Sequence, residues 1–310
     1  MSVAAMIGHL LLERLSRRIL PRIPETDAVM VTPAQIDAFR ESGRDAGLLA
    51  HLYFFNAVMS LPVIRAGDVV LDLACGPANQ LAQIARLHPQ TQFIGIDASQ
   101  SMLEQARATL ANISNANVQH GDITQLSSLA SASIDCVLCT MSLHHLPDIA
   151  ALDRAMREIR RVLKPDGGIY FADFGRLKRN ATQRYFAHDR SDEQSPQFTA
   201  DFLLSLRAAF SADEMHAATT ALATSLSRHA TALAPFLMIF RSAARGAIDD
   251  GVGTRVEEHY RELSDLQRRD FHNLVRWFRL GGLALPDGLS LGGGGSPQHR
   301  ASLQSATSES

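Results

Sequence analysis

Between Val69 and Asp173 short apolar runs alternate with stretches of helical period, and this alternation limits the fold more than any other feature of the chain. The runs "VVLDL", "QFIGID", "NVQHGD", "IDCVLCT" and "GIYFAD" are strand-length, and all but "NVQHGD" are apolar on both sides of the pleat, the pattern of strands covered on both faces. Between them the text is helical over 81–87, 102–110 and 149–163. In the last stretch Ile149, Leu152, Met156, Ile159 and Leu163 recur at steps of three and four. Buried strands alternating with helices give a parallel sheet with helices on both faces, because a parallel connection needs a crossover. The expected class is therefore α/β, a doubly wound and mostly parallel sheet.

Helical text flanks this core. Thr32 is placed to cap a helix that starts at Pro33 and stops at Gly43, and a second helix over 48–60 carries Tyr53, Phe54 and Phe55 before Pro62 ends it. Beyond Asp173 come "FTADFLLSLRAAF" and "DEMHAATTALATSL", then an apolar strand "APFLMIFRS" whose partner is "TSLSRHA". The expected organisation is a helical lid over 1–65, a core over 66–244, one C-terminal helix over 245–280 and a disordered tail over 281–310. The "GGGGSPQHR" and "SATSES" of that tail bury too little apolar surface to hold a structure.

A net charge of −2 supplies no general attraction for a polyanion, so no nucleic acid is expected as partner. Three cysteines, two of them on one strand, do not form a disulfide framework and fit a reducing, cytoplasmic setting. The first 24 residues hold an apolar run broken by Glu13, Arg14, Arg17 and Arg18, so no membrane span is expected there. A terminal helix packed on the body is the plain reading; a basic helix lying on an anionic membrane surface is the alternative.

In an open sheet of this kind ligands sit at the carboxyl ends of the strands. Strand one ends at Asp72 and turns through "ACGPAN", which lacks the three glycines a pyrophosphate site needs. Strand two ends at Asp97, an acid placed to accept the hydroxyls of a ribose, with Ser99 beside it as a helix cap. Strand three ends in "HGDIT", strand four in "LCTMSLHHLPD", and strand five is entered through the turn "LKPDGG".

These five elements in this order resemble the class I S-adenosylmethionine-dependent methyltransferases, over roughly residues 47–244. The resemblance implies a Rossmann-like methyltransferase core, S-adenosylmethionine as cofactor and a transferase activity. It implies that Asp97 holds the ribose, that Asp122 and Ile123 hold the adenine, and that Asp72, Ala74, Gly76 and Thr140 hold the methionine part. Asn79 and Ala98 complete the cofactor-binding set. Ala74 and Ala78 stand where the family often has glycine.

For the acceptor, the absence of an N/D-P-P-Y motif after strand four points to a small molecule. Asp173 and Arg176 at the end of strand five offer an acceptor for an ammonium and a fork for a carboxylate, a clamp for a free amino acid. The alternative is that each salt-bridges within the fold. A weaker resemblance to bacterial methionine S-methyltransferases of dimethylsulfoniopropionate synthesis makes the thioether of methionine the sharpest expected acceptor. His145, Asp173, Arg176 and Tyr260 would then orient the substrate. O- or N-methylation of a small metabolite or quinone, with His144 or His145 as base, is the other reading. Asp45, His51 and Tyr53 are lid candidates. No metal is expected, since adjacent histidines near Asp148 seldom face one ion, and the terminal helices are where a homodimer would form. A dinucleotide-dependent oxidoreductase and a non-catalytic binder of the same fold are the rival classes.

Overall fold

The computed structural model of the chain describes residues 3–25, 47–289 and 291–292. The helix expected over 33–43, the lid candidate Asp45 and residues 293–310 lie outside them. The sheet has seven strands: β1 (Val69–Leu73), β2 (Gln92–Asp97), β3 (Ala116–His120), β4 (Ile134–Thr140), β5 (Leu163–Phe174), β6 (Leu226–Ala230) and β7 (Leu237–Ser242). Their spatial order is β3-β2-β1-β4-β5-β7-β6. The first five are parallel and β7 is antiparallel to both β5 and β6, so "APFLMIFRS" and "TSLSRHA" pair as the sequence predicts. The order reverses between β1 and β4, and the crevice of such a sheet opens beyond the carboxyl ends at that point.

Three crossover helices close the βαβ units: α3 (Asn79–Leu87), α4 (Gln100–Thr109) and α5 (Ile149–Val162). In α5 the predicted period is realised: Leu152, Ala155, Met156, Ile159 and Val162 are buried on one face, while Asp148 Oδ1 accepts the Ala151 amide at 2.7 Å as the N-cap. Each fully buried Leu, Ile or Met on that face contributes roughly 1.5–3 kcal/mol, which outweighs the modest helix propensity of the two isoleucines. Two apolar clusters result, one on each face of the sheet.

The remaining α-helices among the described residues are α1 (Val3–Leu15), α2 (Ala50–Ser60), α6 (Asn180–His188), α7 (Pro196–Ala208), α8 (Ala212–Thr219), α9 (Asp250–Glu262) and α10 (Asp265–Leu280). The last two correct the expected single helix over 245–280. Ser264 breaks it by forming a capping box: its Oγ accepts the Gln267 amide while Gln267 Oε1 accepts the Ser264 amide at 2.9 Å. The signal was present in the text "SDLQ". The expected tail over 281–310 is structured at its start, where Leu283 and Leu291 are buried and Gly292 lies against Tyr260 and His272.

Candidate active site

The turn after β1 is built from residues in unusual backbone states. Ala74, Gly76 and Ala78 have φ of 53°, 53° and 62°, the left-handed region that L-residues enter only at a cost of about 1–2 kcal/mol each. Asp97 at the end of β2 holds the turn in place, its Oδ2 accepting the Gly76 amide and its Oδ1 the Ser99 amide, both at 2.8 Å. Gly95, one pleat earlier, has no room for a side chain: a Cβ there would meet Cys75 Sγ at 2.7 Å. Cys75, Cys136 and Cys139 are free thiols and all are buried.

Asp72 is the most unusual residue of the turn. It is buried, and among the described residues nothing donates a hydrogen bond to its carboxyl. Desolvation first, and the neighbouring Asp97 second, push its pKa up to about 8. Asp97 is also raised, mainly by burial, although the two amides it accepts oppose the shift. A buried carboxyl with no donor, beside a second carboxyl, is a place for a cationic group. The amide nitrogen of Asn79 is likewise buried, with the Tyr53 hydroxyl beside it. Asp122 is exposed, with Oδ1 accepting the Thr124 amide at 2.7 Å, and Ile123 beside it is buried in the second apolar cluster. Ala98 lends its carbonyl to His120 Nε2 at 3.1 Å. The Thr140 carbonyl accepts the Ser142 hydroxyl at 2.9 Å, and the same hydroxyl reaches the Ala74 carbonyl at 3.2 Å. The turn after β4 therefore abuts the turn after β1.

A cavity of about 330 Å³ opens beside these turns. Its floor is Met141, His144 and Phe174 from the ends of β4 and β5. Its walls are aromatic, with Phe186, Phe198, Phe202, Phe236 and Trp277 contributed by helices and by the β6–β7 connection. The lid candidates His51 and Tyr53 line it from α2, and Tyr53 meets Asn79 at the start of α3. Arg190 and Asp270, paired at 2.6 Å, form one polar corner.

The floor holds a buried dyad. Asp173 accepts the His144 amide on Oδ2 at 3.0 Å and bonds His144 Nδ1 through Oδ1 at 2.6 Å. Burial opposes charge on the ring, but the Asp173 charge and hydrogen bond outweigh it and raise the His144 pKa above its usual value. Nδ1 is thereby committed, and Nε2 is the nitrogen left to act. Both residues are among those expected at the site, and their pairing follows from the turn after β4 lying beside the end of the neighbouring strand β5.

The expected amino-acid clamp does not assemble. Asp173 is engaged by His144, and Arg176, nearly buried, pairs with Glu214 of α8 at 2.5 Å. Tyr260 does not line the cavity: its hydroxyl bonds His272 Nε2 at 2.7 Å, and its ring packs on Phe54 and Phe271. His145 lines the cavity but its Nδ1 is held by Glu25 Oε2 at 2.6 Å, and Glu25 also accepts the Ser205 hydroxyl at 2.9 Å. Glu25, His144 and His145 bring potential metal-ligating atoms within 4.8 Å of one another, although each residue has a hydrogen-bonded partner already. Asp148 is the cap of α5 and not a member of that group.

Residues 70–167 match the family described as "methyltransferase domain". A 37.1 kDa protein of transposon TN4556 from Streptomyces fradiae, described as uncharacterized, is 41% identical over 110 residues, 35% of this chain and 31% of that protein. A demethylmenaquinone methyltransferase of Staphylococcus aureus is 31% identical over 118 residues, 38% of this chain and 47% of that enzyme. The chain thus spans less than half the length of these curated relatives. A SAM-dependent methyltransferase from Aquifex aeolicus, 16% identical, matches 69% of this chain and all of its own with a TM-score of 0.51, which shows the common fold. Residues 70–167 accordingly match a methyltransferase domain, set in a seven-stranded sheet of the fold that the Aquifex aeolicus structure shares.

Proposed function

We propose that the chain transfers a methyl group from S-adenosylmethionine to an oxygen or nitrogen of a small, ring-bearing and largely apolar acceptor, with His144 as the general base. The observation that carries this reading is the cavity itself, an aromatic chamber whose floor presents one buried His–Asp dyad. Phe186, Phe202, Phe236 and Trp277 offer ring faces and edges for a flat acceptor, and expel water from it. The demethylmenaquinone methyltransferase relative, matched over part of its length, accords with a ring acceptor.

For the cofactor, the turn after β1 provides the fitting groups. Asp72 would face the ammonium of the methionine part, which supplies the positive charge its unpartnered carboxyl lacks. Asp97, with one lone pair left on each oxygen, would accept the ribose hydroxyls, and Asp122 with Ile123 would border the adenine. When bound, S-adenosylmethionine supplies an electrophilic methyl on a sulfonium. The chain's own residues orient the acceptor, exclude water and take up its proton at His144 Nε2, while Asp173 stabilises the imidazolium that forms.

Methylation of the methionine sulfur has less support. It would need Asp173 and Arg176 free to grip an amino acid, and both are bonded within the fold. Turnover of free methionine against a panel of phenols, hydroxyquinones and aromatic amines, read as release of S-adenosylhomocysteine, distinguishes the two. The expected result is turnover of ring acceptors alone. His144→Gln should then lower kcat by about 10²–10⁴-fold with cofactor affinity unchanged. Methionine turnover that survives His144→Gln would overturn the reading.

A further inference from the structure

Large apolar side chains that remain exposed concentrate in one short stretch. Ile7, Leu11, Leu12 and Leu15 lie on α1, and Ile19 and Ile23 follow on the extended segment after it, with Leu15 75%, Ile19 57% and Ile23 55% exposed. The other such side chains among the described residues, Ile149, Leu204, Leu266 and Leu280, are spread over three helices, α5, α7 and α10. Arg14, Arg17 and Arg18 are exposed in the same stretch, and no described residue pairs with them. The one acid between residues 3 and 24 is Glu13, and it points inward: its carboxylate accepts the Lys178 amide at 2.7 Å and the Arg179 amide at 2.9 Å.

That anchoring fixes which face looks out. Leu10 is buried against Leu177 and Ala234, His9 stacks on Tyr185 at 4.4 Å, and Lys178 Nζ bonds the Ser16 carbonyl at 3.0 Å. The helix cannot roll to hide its leucines without unseating a buried carboxylate from two amides. Arg22, the fourth arginine of the segment, is likewise turned inward, bonding the carbonyls of His144, Leu146, Pro147 and Ala208 and lying 4.0 Å over the Phe210 ring. What remains outside is an apolar stripe edged by three cations with which no acid among the described residues pairs, on a chain whose net charge is −2.

We infer that α1 and the segment to Ile23 form a docking surface for an anionic lipid bilayer. The leucines and isoleucines would sit at the level of the headgroup boundary, and the arginines would meet lipid phosphates. The charge complementarity selects this partner over an apolar groove of another protein, where unpaired arginines would have to be desolvated. Among the described residues no helix is long and apolar enough to cross a membrane, so the contact is peripheral. The inference is independent of the acceptor proposed above. It does place the bilayer against the helix whose inner residues, Met6 and Leu10, line the cavity.

Flotation of the full chain with vesicles tests it, using phosphatidylcholine alone and phosphatidylcholine mixed with phosphatidylglycerol. The protein should partition to the anionic vesicles and be released by high salt. Each arginine near the surface is worth roughly a fivefold gain in partition, so Arg14→Ala, Arg17→Ala and Arg18→Ala together should lower it about 100-fold. Leu15→Ser, at a position three-quarters exposed, should weaken binding without changing the melting temperature. Equal partition to both vesicle types, unchanged binding of the triple variant, or failure of the wild type to float would overturn the inference. So would a dimer that Leu15→Ser dissociates in the absence of lipid binding, which would assign the stripe to a second copy of the chain.

Discussion

Asp72 makes a quantitative forecast because burial holds its pKa at about 8, well above the 3.9 or so of an unfolded chain. Between those values the folded protein keeps a proton that the unfolded chain has released. The stability this proton confers is complete below about pH 4 and is lost as pH rises through 8. The slope is about 1.4 kcal/mol per pH unit, so wild type should lose roughly 4 kcal/mol from this group between pH 5 and 8. Asp72→Asn removes the titration and leaves every other group in place. Urea unfolding of both proteins at several pH values gives the difference directly, and it should grow in favour of the variant by about 1.4 kcal/mol per unit. Cofactor affinity should move the opposite way. In the cofactor placement proposed above the variant loses a charged partner for the ammonium, and it should bind S-adenosylmethionine about 10–100-fold more weakly at pH 8. Two stability curves that stay parallel from pH 5 to 8 would refute the argument, as would an affinity that the substitution leaves untouched.

Two further substitutions test neighbouring claims. Ala74→Gly relieves a left-handed alanine at the cost of glycine's chain entropy and should raise stability by about 0.5–1 kcal/mol in thermal unfolding. Tyr260→Phe removes one hydrogen bond to His272 and should cost about 1 kcal/mol of stability while leaving kcat unchanged, since the ring lies outside the cavity.

The fold was largely legible because its signals are local. Strand-length apolar runs, the period of α5 and the cap at Ser99 are read within a few residues of themselves. The break at Ser264 was equally local and was overlooked, since the apolar residues on either side let one helix be drawn through it. The candidate site divides along the same line. Residues carried by the turn after β1 and by the end of β2 fall together because the parallel register puts Leu73 opposite Ile96, next to Asp97. Side chains whose partners lie far along the chain were not predictable: Arg176 finds Glu214, His145 finds Glu25, and Tyr260 finds His272, each on an element whose position only packing decides. The aromatic cavity was invisible for the same reason, being assembled from five helices and a strand connection that share no motif.

The buried thiols have a practical corollary. Cys75, Cys136 and Cys139 are the chain's three cysteines, and burial pushes the pKa of each well above that of a free thiol, which starves them of the reactive thiolate. The native protein should therefore stay silent to maleimides without any cysteine having been removed. A single cysteine introduced at Ile19 or Ile23 would be its one labelled position, so a solvent-sensitive dye there would report lipid contact in real time on an otherwise unaltered chain.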